Sequence, residues 1–373
     1  MCFKKSKKLI GVILSTVLAA LSISACGFFE KPVTDPVDVL LITDIGTVED
    51  GSFNQGAWEG IKRYGDEKGI KVKYYEPENT DKDSYLKEVK KGVKNGAQLI
   101  ICPGYLLEET VYEAAKDYPS VDFILLDGEP HNADYSDMTI AENVMPILFA
   151  EEQAGFLAGY SAVRDGYTGL GFMGGIPEDP VIRFGYGFVQ GADYAAIEMG
   201  VSVHIRYTYT NTFYESNAVE KMAETWYGDD TEVIFACGGA MGRSVMRAAE
   251  NSNGKVIGVD VDQRNESETV ITSAVKSLST AVYQSILDYY DGNFGGGFVK
   301  RYTAAQDGVS LPLESSRFNK FSDVEYNSIY QLLVDGTVVP YEKTNVGTTE
   351  ELSLVNTEVT YVGSEALEVT SNE

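Results

Sequence analysis

Three aspartates in this chain directly follow short apolar runs. Asp44 stands just beyond the run at 37–43 (VDVLLIT), Asp127 closes Phe123-Ile-Leu-Leu-Asp127-Gly, and Asp260 closes Val256-Ile-Gly-Val-Asp260-Val-Asp262. A carboxylate at the carboxyl end of a strand can accept two hydrogen bonds from neighbouring hydroxyls, such as a ribose diol. An ordinary turn or cap aspartate serves its own backbone instead. For one site alone the turn reading prevails; three, drawn from both halves of the chain, favour a shared cleft. Beside the first lies Asp50-Gly51-Ser52-Phe53-Asn54-Gln55. Ser52 and Gln55 fit the S-x-x-Q capping box, so Ser52 is expected to cap a helix starting at Phe53. That places Phe53 at a helix mouth next to a strand end. A ring, a carboxylate and an amide converging there suit a flat, hydrogen-bonding ligand. The alternative, Phe53 packed under the helix and Asp44 in a plain turn, fits the same spacing, and both stay open.

Other patterns carry no chemistry. Gly169-x-Gly171-x-x-Gly174 matches a dinucleotide fingerprint, but it lies within its strand, and Pro177 and Pro180 precede any helix that would hold a pyrophosphate. Asp260-x-Asp262 has the start of a calcium loop, with Asn265 where the sharp turn requires glycine. No G-x-S-x-G and no Walker loop is present. Only His131 and His204 occur, and four cysteines, which leaves no histidine-rich metal site and no framework of several disulfides. Cys102 and Cys237 adjoin apolar strands in different halves and are expected to pack as small hydrophobes. Neither a cofactor nor a metal is expected.

The elements that position these residues alternate. Strands are expected at 37–43, 70–76, 97–101 and 121–126, with helices at 53–68, 81–95 and near 109–117. In the helix at 81–95, Leu86, Val89 and Val93 share one face. A second set begins after Met145: a helix through Phe156 and Tyr160, strands at 168–173, 201–209, 232–236 and 255–259, and helices after Val181, at 216–227 and at 241–251. Such alternation argues for α/β lobes, each a parallel sheet flanked by helices. Ligands of such sheets sit beyond the carboxyl ends of the strands, where the three aspartates lie. The expected division is 38–145 and 146–270 for two lobes, 271–340 for crossover segments completing both, and 341–373 for an acidic extension. That extension, with seven glutamates and one lysine, is either a solvated tail or a small edge addition. A chain of 373 residues with 44% hydrophobic and 23% charged residues can bury two such cores, which excludes wholesale disorder. Its formal charge of -26 repels a phosphate backbone, so nucleic acid is excluded as a partner.

The N-terminus is an export signal. Lys4, Lys5, Lys7 and Lys8 precede an uncharged stretch at 9–25, short for a spanning helix. It ends in Ile23-Ser24-Ala25-Cys26, which resembles a bacterial lipobox and implies that residues 1–25 are removed and Cys26 carries diacylglycerol. An uncleaved anchor or a plain signal peptide is the alternative; in each case the folded part lies outside the cytoplasm. Residues 26–37, with Pro32 and Pro36, read as a tether.

Longer motifs resemble a known family. Asp44-Ile-Gly with Asp50-Gly-Ser52-Phe53-Asn54-Gln55-Gly-Ala-Trp58-Glu-Gly60 is similar to the opening signature of the basic membrane protein family, lipoproteins that bind substrates for ABC importers; its best-known members bind purine nucleosides. Tyr118-Pro119 with the strand ending at Asp127, Glu152-Gln-Ala-Gly-Phe156-Leu-Ala-Gly-Tyr160, Phe172-Met-Gly-Gly175, Pro180-Val-Ile-Arg183-Phe184, Ile257-Gly-Val-Asp260-Val-Asp262-Gln263 and Thr272-Ser-Ala-Val-Lys276 follow in the family's order. The resemblance covers roughly 38–340 and implies a type I periplasmic-binding-protein (Venus-flytrap) fold. It places a base-stacking ring on Phe53 and a facing ring on Phe213, in Thr212-Phe213-Tyr214-Glu215 where the family usually carries Ser-Phe-Asn-Asp. Base contacts fall on Asp44, Asn54 and Asp127. The ribose falls to Asp260 and Lys276, with backbone from Gly239 or Gly242. Implied partners are a nucleoside, ABC permease subunits and the membrane through the lipid anchor, with the protein a monomer and not an enzyme. Gly51 stands where many relatives carry lysine, and Glu49 and Asp50 put acid at the mouth, disfavouring free phosphates. Rival readings are the same clamp holding riboflavin or a sugar, an extracellular nucleoside hydrolase, and a surface lipoprotein for a host or matrix partner.

Overall fold

The computed structural model describes residues 35–344, 349 and 352–363; Cys26 and the segment expected to be an export signal lie outside the described residues. The chain divides into Met1–Pro36 and Val37–Glu373, and every element belongs to the second unit. Along it run β1 (Val39–Ile42), α1 (Phe53–Lys68), β2 (Val72–Tyr75), α2 (Lys82–Lys94), β3 (Leu99–Pro103), α3 (Glu108–Asp117), β4 (Asp122–Leu126) and β5 (Val144–Phe149). Next come α4 (Glu151–Asp165), β6 (Gly169–Gly174), α5 (Asp179–Met199), β7 (Val203–Tyr209), α6 (Asn217–Gly228), β8 (Val233–Cys237), α7 (Met241–Ser252), β9 (Lys255–Asp260) and β10 (Val270–Lys276). The chain ends with α8 (Leu278–Tyr290), β11 (Lys300–Tyr302), β12 (Val309–Ser310), α9 (Asp323–Val334) and β13 (Thr357–Tyr361).

Two sheets result, in the orders β11-β5-β4-β3-β1-β2 and β12-β10-β9-β8-β6-β7-β13. Every pairing is parallel except that of β12 with β10. The central strands β1, β3 and β8 are buried along their whole length, as their unbroken apolar runs require of strands covered on both faces. The chain crosses between the sheets three times: at the start of α4, between β10 and α8, and between β11 and β12. α8 packs back on α1, where Tyr64 meets Tyr283 edge to face.

Two details depart from the division read in the sequence, and a third decides between the alternatives left for its tail. β5 lies wholly in the first sheet, so that lobe runs through Phe149 and the break at 145 falls inside a strand. Pro146 argues against an interior strand, but β11 pairs only with Ile147–Phe149, so the proline's missing donor faces an unpaired edge. β10 likewise belongs to the second sheet as far as Lys276. The acidic extension supplies an edge strand: β13 pairs with β7, and Asp193 accepts from the backbone N–H groups of Val355 and Asn356 to hold it. Among the described residues no helix is long and apolar enough to cross a membrane.

Candidate functional site

Parallel strands deliver all their carboxyl ends to one side, so the loops after β1, β4, β8 and β9, the end of β10 and the starts of α1 and α5 meet around one cavity of ≈ 180 Å³. That is more than ten times the space a single ordered water needs, roughly 10–15 Å³. Asp44, Phe53, Asn54, Asp127, Phe213, Gly239, Asp260 and Lys276 line it. Gly242 does not. It sits in the first turn of α7 with its N–H donated to the carbonyl of Gly239, and it has no donor left for a ligand.

The start of α1 differs from the capping box expected. Asp50 caps the helix: one carboxylate oxygen accepts from the N–H groups of Ser52 and Gln55, the other from Asn54. Ser52 makes no capping bond. Its hydroxyl instead donates to Asp260 Oδ2 at 2.6 Å, across from one lobe to the other. Gln55 turns back one residue further, accepting from Gly51 N–H. Ser52→Ala therefore spares the helix. The ligand-free variant should melt within about 1 °C of wild type, while ligand affinity falls about fivefold to tenfold, the effect of one lost hydrogen bond. Asp50→Ala should do the reverse and lose about 0.5–2 kcal/mol of stability. Thermal melts and calorimetry on the two variants check the split, and a destabilised Ser52→Ala protein would return Ser52 to a capping role.

Asn54 is spent within the protein. Its Nδ2 donates to Asp44 Oδ1 (2.8 Å) and Asp50 Oδ2 (3.0 Å), and its Oδ1 accepts from Asp44 N–H. It holds Asp44 rather than offering an amide hydrogen to a ligand. Burial pushes the Asp44 carboxyl up to about 6, against the hydrogen bonds from Gly46 and Asn54 that favour its charge. Asp127 and Asp260 both sit in the left-handed region, at φ 54° and 66°. Aspartate tolerates that conformation better than most residues, and here it swings both carboxylates out of their strands toward the cavity.

Lys276, 3% exposed, is the hub of the site. Its ammonium bonds Asp127 Oδ2 and lies 3.5 Å from Asp260 Oδ1 and 3.7 Å from Glu151 Oε1. Burial disfavours that charge, but the three carboxylates more than offset it and raise the pKa. The rings of Phe53, Phe184 and Phe149 surround the ammonium, with centroids 4.6, 5.5 and 5.7 Å away. For Asp127 the balance runs the other way: burial, with the like charges of Glu151 and Asp260, outweighs the ammonium and pushes it up to about 7. Its Oδ1 is buried without a hydrogen-bond partner among the described residues.

Phe53 enters from the first lobe and Phe213 from the second. Among the described residues neither ring stacks on another aromatic side chain. Phe213 lies so close to Gly175 that a Cβ there would come within 2.4 Å of its ring, so only glycine leaves room for the ring at this place. The rim is fastened by further contacts between lobes: Tyr214 Oη donates to the Ile45 carbonyl (3.1 Å), Arg243 Nη2 to Glu49 (3.1 Å) and Gln263 Nε2 to Gly51 (2.9 Å).

Sequence reasoning named neither Tyr105, Phe184 nor Arg243 as site residues, yet all three line the cavity. Phe184 stood in a family motif and could have been found there; Tyr105 and Arg243 carried no signal. The cavity joins hydrogen-bond acceptors to flat rings; beside it burial raises the Cys237 thiol far above its usual range, and the Ser52 hydroxyl is committed to Asp260, so neither is activated as a nucleophile.

Residues 37–335 match the family model described as ABC transporter substrate-binding protein PnrA-like. The chain is 29% identical to an ABC transporter nucleoside-binding protein of Lactococcus lactis, covering 78% of this chain and 86% of that one. It is also 29% identical to basic membrane protein D of Borreliella burgdorferi, covering 87% and 94%. Among solved structures, a solute-binding protein of an ABC transporter system from Aeropyrum pernix superposes with a TM-score of 0.72 at 22% identity, covering 83% of this chain and 94% of that one. One from Conexibacter woesei gives 0.67 at 21%, covering 82% and 99%. Both share the two-lobed fold.

Proposed function

Because the chain belongs to the Bmp family of PnrA-like ABC transporter substrate-binding proteins, we propose that it captures a nucleoside, in particular a purine nucleoside, outside the cytoplasm and delivers it to an ABC importer. Lipid on Cys26 would keep it at the membrane. One observation carries this reading: two unstacked rings from opposite lobes line the same cavity as a buried lysine–carboxylate cluster. Rings of that kind hold a base by its faces, at about 1–3 kcal/mol each for stacking. Asp260 accepts from ribose hydroxyls, and Asp44 and Asp127 accept from N–H groups on the base. The ligand bridges both lobes, so it favours the closed arrangement by as much as it prefers that arrangement over the open one. The relative from Lactococcus lactis, named as nucleoside-binding, supports the ligand class.

The cavity also argues against phosphate. Asp44, Glu49, Asp50 and Glu178 line it alongside the buried cluster, and Arg243, the cation at the rim, is engaged by Glu266 at 3.0 Å. We expect inosine to bind and its 5′-monophosphate to bind about a hundredfold more weakly or not at all, since opposed like charges cost several kcal/mol. Calorimetry with both ligands tests this, alongside chromatography for free hypoxanthine after prolonged incubation and mass spectrometry of whatever the purified protein releases on denaturation. Release of a flavin or a sugar, with no nucleoside bound, sinks the nucleoside reading. Hypoxanthine formation sinks the non-enzymatic one.

A further inference from the structure

Two side chains that do not line the cavity stand behind Lys276. Glu151 is the first residue of α4 and fully buried; beyond its approach to the ammonium, its Oε2 accepts from Arg183 Nε at 2.7 Å. Arg183 comes from α5, with Asp179 3.7 Å away on its outer side. The next residue, Glu152, faces elsewhere and pairs with Arg301 on β11 at 3.0 Å. Glu151 and Glu152 thus open the helix by which the chain leaves the first lobe. They tie it to the other two crossings, to Lys276 just before α8 and to Arg301 just before β12.

We infer that Glu151, held by Arg183, is a positioning residue: it fixes the Lys276 ammonium between Asp127 and Asp260, so that the cavity presents an assembled charge cluster at the point where the lobes hinge. The geometry gives the reason. An ammonium bound only by Asp127 and Asp260 would be pulled between carboxylates from two different lobes, and it would follow whichever one moved. Glu151 is anchored on the second-lobe side through Arg183 and gives Lys276 a third, fixed partner. Without Arg183 the cluster would set three buried carboxylates against one cation, an arrangement that desolvation strongly disfavours. The helix N-terminus also favours a carboxylate at Glu151.

The test separates a charge role from a merely structural one. The charged groups facing Asp127 are Lys276 from β10, Asp260 from β9, Glu151 from α4 and, behind it, Arg183 from α5. Glu151→Gln removes a like charge, so Asp127 ionises more easily and the acidic limb of binding should move to lower pH. Arg183→Gln leaves Glu151 unopposed and should move that limb to higher pH. Arg183→Lys should stay near wild type. Calorimetry with inosine between pH 5 and 9 reads these shifts, with affinity of Glu151→Gln about tenfold lower at pH 8, within the range for members of one charged network. This arm rests on the nucleoside reading. A second does not: in protein labelled with 15N-lysine, the buried ammonium should give a slowly exchanging resonance that Lys276→Met removes, and Glu151→Gln should shift it and speed its exchange. If Glu151→Gln does not fold, the double variant Glu151→Gln/Arg183→Gln leaves no lone charge there and should show the same change. An unchanged resonance, or limbs that move together, overturns the positioning role. Wild-type protein that ignores inosine overturns the nucleoside reading instead, and the resonance still decides the role of Glu151.

Discussion

Lys276→Met should lower the melting temperature by about 4–8 °C at pH 8, corresponding to about 3–5 kcal/mol for a buried charge cluster that loses one partner. Methionine nearly matches the lysine stem in volume, so little of this loss comes from a cavity. It comes from leaving Asp127, Asp260 and Glu151 facing one another with only Arg183 nearby. The pH dependence identifies the cause. In wild type the raised pKa of Lys276 means that its contribution is fully present below the unfolded lysine value of about 10.4, so it adds no slope between pH 5 and 9. In the variant Asp127, which burial already pushes up to about 7, loses the ammonium that held it down, so the folded protein binds a proton there more readily than the unfolded chain does. The deficit should therefore shrink as pH falls from 8 toward 5. Adding Asp127→Asn should recover part of the loss at pH 8. Calorimetric melts at several pH values check this; a deficit independent of pH would assign the loss to packing and remove the charge argument.

The sequence made the strand-terminal aspartates legible because a parallel sheet leaves little freedom about where a strand's carboxyl end points. Asp44, Asp127 and Asp260 reach one cavity for that reason, and the alternation that located them also outlined both lobes. The start of the helix at Phe53 was legible too, but not the place of its ring, since the same spacing lets the ring pack under the helix or reach the cavity. What failed was local pattern matching where distant groups compete. Ser-x-x-Gln at 52–55 satisfies a capping box, but Asp50 outbids Ser52 for the helix N–H groups, and the freed hydroxyl finds an acceptor 208 residues away. Asn54 looked available because its partners, two carboxylates in the same loop, come together only in the folded turn. Gly242 offers no donor because α7 begins at Met241 and consumes its N–H, which the glycine's place in the sequence does not reveal. Glu151 and Arg183, 32 residues apart, touch only because α4 and α5 pack along their length, and α5 lets α4 approach through Gly187 and Gly191. No spacing in the sequence marks such a pair.

Asp260→Asn should weaken nucleoside binding about tenfold to a hundredfold and leave the melting temperature within about 1 °C, whereas Asp260→Ala should lose both affinity and stability. The contrast follows from the backbone. At φ 66° the residue occupies the left-handed region, where alanine is strained by about 1–2 kcal/mol and asparagine is tolerated nearly as well as aspartate. Asparagine also keeps an oxygen for the Ser52 hydroxyl, which lies 2.6 Å from Oδ2. It loses the negative charge, and with it the charge-assisted part of each ligand hydrogen bond, about 1.5–3 kcal/mol for a charged acceptor. Lys276 keeps its bond to Asp127 in either variant, so the charge cluster survives and the affinity change reports on the ligand's hydroxyls. 2′-Deoxyinosine supplies the control. If Asp260 accepts from the ribose diol, the deoxy ligand should already bind wild type more weakly and should lose less on Asp260→Asn, because the two changes remove the same bond. Equal losses for inosine and 2′-deoxyinosine would mean that Asp260 does not touch the 2′-hydroxyl, and the orientation of the nucleoside between the lobes would have to be reversed.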